Sequence, residues 1–222
     1  MADDIFHGLS PNELKKEVAR IIAVDARSLP PNAKIFSAIA QLQNFDRLPE
    51  LTDHGCINKM IDQKCVELQR GLSGTKGVPA MLYAKELVLG PMYPGTLSAL
   101  GNGIYLATTG EYADTPSNSQ FFPKMSRMAF KYAANDDSGV ILRCALKADA
   151  KILDFDDVRS IARDNRNRVR DAQVTDFGAL TAALGFDAFV RDDTFDGSGE
   201  KVYVVVNRTA LTFQREVLRR QK

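Results

Sequence analysis

Apolar residues recur at helical spacing at the start of the chain and at strand spacing after it. In "SPNELKKEVARIIAVDA" Leu14, Val18, Ile21 and Ile22 fall on one stripe. Ser10 stands ahead of them as an N-cap, Pro11 takes the first helical position and Glu13 follows. "LPPNAK" breaks this helix, and "AKIFSAIAQLQNF" restarts the period with Ile35, Ile39 and Leu42. A third, shorter helix is predicted from Ile57 to Gln63. The period then changes to two. "CVELQRG" places Val66 and Leu68 on one face, with Arg70 continuing that face at its end. "GIYLAT", "GVILRCALK", "FDAFVRD", "KVYVVVN" and "ALTFQREV" predict further strands, and the run "VYVVV", apolar on both faces, belongs in the middle of its sheet. Between them "PKMSRMAFKYA" reads as a helix with Met125, Met128, Ala129 and Tyr132 at helical spacing. "FDDVRSIARDNRNRVRDA" and "DFGALTAALG" are also predicted helices, the second closing at Gly185. "TPSNSQFFP" and "RDDTFDGSGE" read as long irregular loops, where binding and chemistry tend to sit. The pattern predicts an α+β chain, with a helical extension over residues 1–62 and a β-rich body over 63–222.

Composition narrows the classes without naming one. The 222 residues are 45% hydrophobic and 26% charged, the make-up of an ordinary globular protein with a sizeable core. A net charge of +1 gives no global field for nucleic acid or a membrane surface. Cys56, Cys65 and Cys144 are odd in number and widely spaced, and His7 and His54 are the only histidines. Neither set makes a disulfide framework or a metal-ligand motif, so no metal and a reducing compartment are expected. "MADDIFHGLS" lacks the apolar segment of a secretory signal, and no run has the length of a membrane span. A cytoplasmic protein is expected, or one delivered into a host cell as an effector.

Four features could carry chemistry. Arg70-Gly71 ends a strand, and an arginine continuing an apolar face needs an ion-pair partner or a bound anion. The stretch "LSALGNGIYLATTGEYA" hinges a strand with Gly101 and Gly103 and centres it on Tyr105, a flat stacking face with a polar tip. Read alone, it is equally a tight turn before a core tyrosine. Glu200 follows "DGSG" and enters the most apolar strand, where a carboxylate can stabilise a cationic transition state or simply face solvent. "RDNRNRVRD", with Arg163, Arg166, Arg168 and Arg170 spread around a helix, reads as a solvated face. With so few histidines, proton transfer falls to carboxylates or tyrosine.

The order of these features resembles the ADP-ribosyltransferase superfamily. Arg-Gly ends the first strand of the body, a glycine-hinged strand with a central tyrosine follows, and a glutamate stands before a late strand. "GNGIYLATTGEYA" is similar to the tyrosine-bearing form, and "LGFDAFV" with "EKVYVVVNRTAL" to the closing strands of diverged bacterial and phage members. The resemblance covers Val66 to Phe213 and implies a split, mostly antiparallel β-sandwich with the N-terminal helices outside it. It implies an enzyme that uses NAD as co-substrate, releases nicotinamide and transfers ADP-ribose to a macromolecule, a protein ahead of a nucleic acid, as a bacterial effector, toxin or phage protein. On that resemblance Arg70 would hold the NAD phosphates or adenine ribose, and the Gly71 backbone would meet the nicotinamide amide. Gly103 would bend the chain over the ligand, Tyr105 would stack on the nicotinamide, and Tyr112 would close the pocket. Glu200 would bind the nicotinamide ribose and stabilise the oxocarbenium ion. The Ser-Thr-Ser triplet of arginine-modifying members is replaced by "YLATT", and Ser198 stands where a Glu-x-Glu pair would have its first acid. Both departures weigh against arginine as the acceptor, and an asparagine-, threonine-, glutamate- or nucleic-acid-directed transferase remains open. An NAD glycohydrolase, an inert relative serving as a binding or structural module, and an unrelated enzyme pairing Glu200 with Asp192 or Asp193 remain open.

Overall fold

The computed structural model describes residues 36, 39–40, 42–74, 79–89, 100–109, 125–134, 139–168, 176–192, 199–216 and 218–219. The first predicted helix, Ile35, Tyr112, Arg170 and most of both long loops lie outside them.

The described chain is mixed α+β. Its strands are β1 (Glu50–Thr52), β2 (Val66–Leu72), β3 (Ile104–Thr108), β4 (Val140–Leu146), β5 (Ile152–Asp154), β6 (Ala188–Asp192), β7 (Lys201–Val205), β8 (Leu211–Gln214) and β9 (Leu218–Arg219). Its helices are α1 (His54–Asp62), α2 (Ala80–Leu89), α3 (Arg127–Ala133), α4 (Phe155–Arg168) and α5 (Phe177–Ala183). The strands form one sheet in the order β1-β8-β4-β2-β3-β7-β6-β5, with β9 beside β4. Pairing is antiparallel except for β1 with β8 and β5 with β6. The strand carrying "VYVVV" sits inside the sheet, between β3 and β6, with Val202 to Val205 all buried, as its two apolar faces require.

The sheet has a narrow waist. β2 pairs with β4 along its whole length, from Val66–Leu146 to Leu72–Val140. With β3 it pairs, among the described residues, at Leu68–Thr108 and Gln69–Ala107 alone. The two layers expected from the sequence are thus one hydrogen-bonded sheet that nearly parts between β2 and β3.

Alternation assigns the faces. Leu68, Leu72, Ile104, Leu106, Leu142, Cys144, Tyr203, Val205 and Phe213 form one buried cluster, covered by Ala80, Ala84 and Val88 of α2. The opposite face of β3, β7 and β6 carries Tyr105, Val204 and Phe189 against α4, α5 and the helical residues Phe36, Ile39 and Ala40. On that side of β2 and β4, Ala129 and Ala133 of α3 pack on Ile141. α1 reaches the same side, because His54 meets Arg143 of β4 and Gln214 of β8.

Segments on both sides of the 62/63 boundary share this core. β1 pairs in parallel with β8, and Phe36 and Ile39 belong to the same cluster as Val204. Arg208, which is buried, stitches the two together. It donates to the carbonyls of Arg47 (3.1 Å) and Asp46 (2.7 Å), and to that of Val88 near the end of α2 (3.5 Å). Burial pulls its pKa down.

The glycine turn before β3 has a packing cause. Gly101 and Gly103 take φ of +90° and +140°, a region that favours glycine. A Cβ on Gly103 would lie 2.5 Å from Val204 Cγ1, and one on Gly101 2.2 Å from Asp176 Oδ1. Asp176 is the N-cap of α5, where its Oδ1 accepts from Ala179 N (2.9 Å). The same carboxylate accepts from Asn102 N (2.8 Å) and Asn102 Nδ2 (2.5 Å). Asp176→Ala removes a cap worth about 0.5–2 kcal/mol and strands buried Asn102 donors at about 1–3 kcal/mol. Urea unfolding of this variant should show a loss of about 1.5–5 kcal/mol at unchanged m-value.

Candidate active site

Arg70 on β2, Tyr105 on β3 and Glu200 at the entry of β7 come from distant parts of the sequence to three neighbouring strands, Arg70 on the face of Leu68 and Leu72 and the other two on the opposite face. Arg70 stands where β2 and β3 leave register. One step beyond the Gln69–Ala107 pair, its Nη1 donates to the backbone carbonyl of Tyr105 at 3.2 Å. The side chain therefore occupies the opening that the parting strands create. Arg70 is half-buried and makes no ion pair with a described residue. Burial lowers its pKa, opposed by a hydrogen bond and charge interaction with Tyr83 and by the phenols of Tyr105 and Tyr132. A guanidinium bonded to a phenol and a carbonyl, with no ion pair to a described residue, retains attraction for an anion.

Tyr105 lies on the other side of its strand. Its ring packs against the core cluster with Phe36 and Val204, and its hydroxyl donates to Gly101 O at 2.7 Å. The exposed rings at Arg70 belong to two residues that the sequence pattern did not single out for function. Tyr83 on α2 is 37% exposed and Tyr132 on α3 is 57% exposed. Tyr132 shares the helical stripe of Met128, yet it is Ala129 and Ala133 that α3 turns inward. Tyr112 lies outside the described residues.

Gly71 admits α3. A Cβ there would lie 1.7 Å from Ala129 O and 2.8 Å from Ala133 N, so the helix backbone rests directly on β2. This close approach fixes α3 beside Arg70.

Glu200 receives the start of that helix. Its Oε1 accepts from Arg127 N (2.5 Å), and its Oε2 accepts from Met128 N (3.2 Å) and Ser126 Oγ (2.9 Å). Ser126 is the N-cap, and its hydroxyl oxygen accepts from Ala129 N at 3.1 Å. The amides that a helix leaves without internal partners are thereby satisfied, and a carboxylate is favoured at that end of the helix dipole. Glu200 is 2% exposed. Its backbone precedes Lys201, whose N–H donates to Thr108 Oγ1 (2.9 Å), which ties the entry of β7 to the end of β3.

A second set of buried polar groups continues from this point. Gln69 Oε1 accepts from Ser126 N (3.0 Å), and Gln69 Nε2 faces Glu67 Oε1 (3.4 Å). Glu67 is ion-paired with Arg143 (2.6 Å), and Arg143 reaches His54 (3.2 Å) and Gln214 (3.4 Å). Gln69 sits between Leu68 and Arg70 in sequence, and nothing in the local pattern marks it. Asp192, by contrast, is exposed and salt-bridged to Lys201 at 3.0 Å.

Among the described residues no group of three His, Cys, Asp or Glu side chains is placed to hold a metal ion, and no helix is long and apolar enough to cross a membrane.

Gly71→Ala should push α3 off β2. Overpacking of this kind costs about 1–3 kcal/mol, and the displacement should appear as faster amide exchange at Arg127 and Met128, whose N–H groups bind Glu200. Unchanged exchange at both amides would contradict the contact.

No protein-family model, no curated protein and no solved structure matches the chain.

Proposed function

We propose that the chain is an ADP-ribosyltransferase that uses NAD and releases nicotinamide. One observation carries the reading. The arginine, the tyrosine strand and the glutamate, far apart in sequence, lie on β2, on β3 and at the entry of β7, three neighbouring strands, and the arginine stands at the point where the sheet parts. That waist is the counterpart of the split cleft implied by the resemblance. In this reading Arg70 holds the pyrophosphate by charge-assisted hydrogen bonds. Tyr83, exposed and hydrogen-bonded to it, supplies a stacking face, and Tyr105 supports the cleft wall through its ring and its carbonyl.

The chemistry is a substitution at the nicotinamide ribose. The bond from C1′ to the pyridinium nitrogen breaks, and its electron pair leaves with neutral nicotinamide. The resulting oxocarbenium carbon takes a lone pair from the acceptor, whose proton departs. Glu200 stabilises the positive charge that develops at the ribose. Its carboxylate is preset by hydrogen bonds, so little reorganisation is needed as the charge appears. The acceptor is a macromolecule, a protein ahead of a nucleic acid, and the biological setting is an effector, toxin or phage protein. Water in its place makes the same site a glycohydrolase.

One observation favours a second reading. The Glu200 carboxylate is buried and caps α3, which suits a relative that binds NAD without cleaving it. Glu200→Gln separates the two. For an active enzyme, nicotinamide release from NAD in the presence of cell lysate should fall about 10²–10³-fold, the cost of removing one such electrostatic stabiliser. Arg70→Ala should weaken NAD binding by about ten- to a hundredfold, the value of a charged hydrogen bond. NAD that stabilises the wild type without nicotinamide release selects the inert reading. No NAD binding at all overturns both.

A further inference from the structure

We infer that Gln69 and Ser126 are positioning residues for Glu200, an inference that rests on the catalytic reading of that carboxylate. Both are almost wholly buried. Ser126 makes three directed bonds. Its N–H goes to Gln69 Oε1 (3.0 Å), its O–H goes to Glu200 Oε2 (2.9 Å), and its oxygen accepts Ala129 N–H (3.1 Å). The hydroxyl hydrogen is therefore committed to the carboxylate, because the oxygen is already an acceptor for the helix.

Gln69 is oriented as strictly. Its oxygen must face the Ser126 amide, so its NH₂ faces Glu67, and Glu67 is held in turn by Arg143. The register of β2 fixes Gln69 opposite Ala107 and Arg143, one residue before Arg70. The strand that presents Arg70 to the cleft thus also sets the height of Ser126, and through it the carboxylate. A helix start needs a cap, but it does not need a buried amide behind the cap. The arrangement holds the Glu200 carboxylate in one place at the start of α3.

Ser126→Gly tests this, because glycine replaces serine at an N-cap for only about a few tenths of a kcal/mol. The helix start persists while the hydroxyl bond to Glu200 is lost. Steady-state nicotinamide release should show kcat reduced about tenfold or more, the cost of a hydrogen bond to a charged group, with KM for NAD nearly unchanged. Gln69→Met should lower kcat in the same direction. In a Glu200→Gln background Ser126→Gly should have no further effect on kcat, because the group it positions is gone.

Wild-type kcat in Ser126→Gly, or independent effects of the two changes, overturns the positioning role even where Glu200→Gln abolishes release. A wild-type chain that releases no nicotinamide, or a Glu200→Gln variant as active as wild type, overturns the catalytic reading and this inference with it.

Discussion

The pairing of β2 with β3 stops after Leu68–Thr108 and Gln69–Ala107, and the arrangement of the candidate site depends on that stop. A strand that leaves its neighbour exposes backbone carbonyls and amides that must find other partners. Arg70 supplies one, the Tyr105 carbonyl, with a side chain in place of a ladder bond. The substitution places a cation in the opening between strands, at the cost of desolvation that its surrounding phenols partly offset. Next to it, the missing side chain of Gly71 lets α3 settle on β2, and the start of α3 is where Glu200 is bound. The parting of two strands, a glycine contact and a helix cap are therefore successive consequences of one break in the ladder.

The polar groups behind that break are more extensive than a helix cap requires. Glu200, Ser126, Gln69, Glu67 and Arg143 follow one another through hydrogen bonds and an ion pair, with no apolar residue interposed. Each such group would cost about 1–3 kcal/mol if buried without a partner. Their mutual satisfaction makes the chain rigid, since moving one member strands the next. An apolar core tolerates small adjustments by repacking. A chain of directed bonds has one low-energy arrangement, a property suited to holding a carboxylate in place.

Elements of one dominant period were legible in the sequence. β4, β6 and β7 were visible because their residues alternate or are apolar throughout. β1 and β5 span three residues each, too few for a period to emerge, and both are defined by parallel partners far along the chain. α2 escaped because Leu82, Tyr83 and Leu89 lie exposed on a helix whose buried stripe is Ala80, Ala84 and Val88, so size and polarity do not separate its faces. At the site, Arg70 was legible as a charge interrupting an apolar face. Tyr83 and Tyr132 were not, because a tyrosine on a helix reads as core until the neighbouring strand is known. The glycines of "LGNGIY" were correctly seen as a hinge. Their cause, the approach of Asp176 and Val204, joins segments that no local pattern connects.

The burial of Glu200 sharpens the catalytic reading as much as it challenges it. A carboxylate that only caps a helix can sit at the surface, where water completes its solvation. This one enters from Gly199, at φ +68°, and is held on both oxygens by groups of a single helix start. That helix rests on the strand bearing Arg70, with no side chain between them. Displacing the carboxylate would free the Arg127 and Met128 amides, loosen α3 from Gly71 and disturb β2 at the waist. Gly71, α3 and Glu200 are consequently coupled. In the proposed reaction a carboxylate held in this way would meet the forming cation without reorganising.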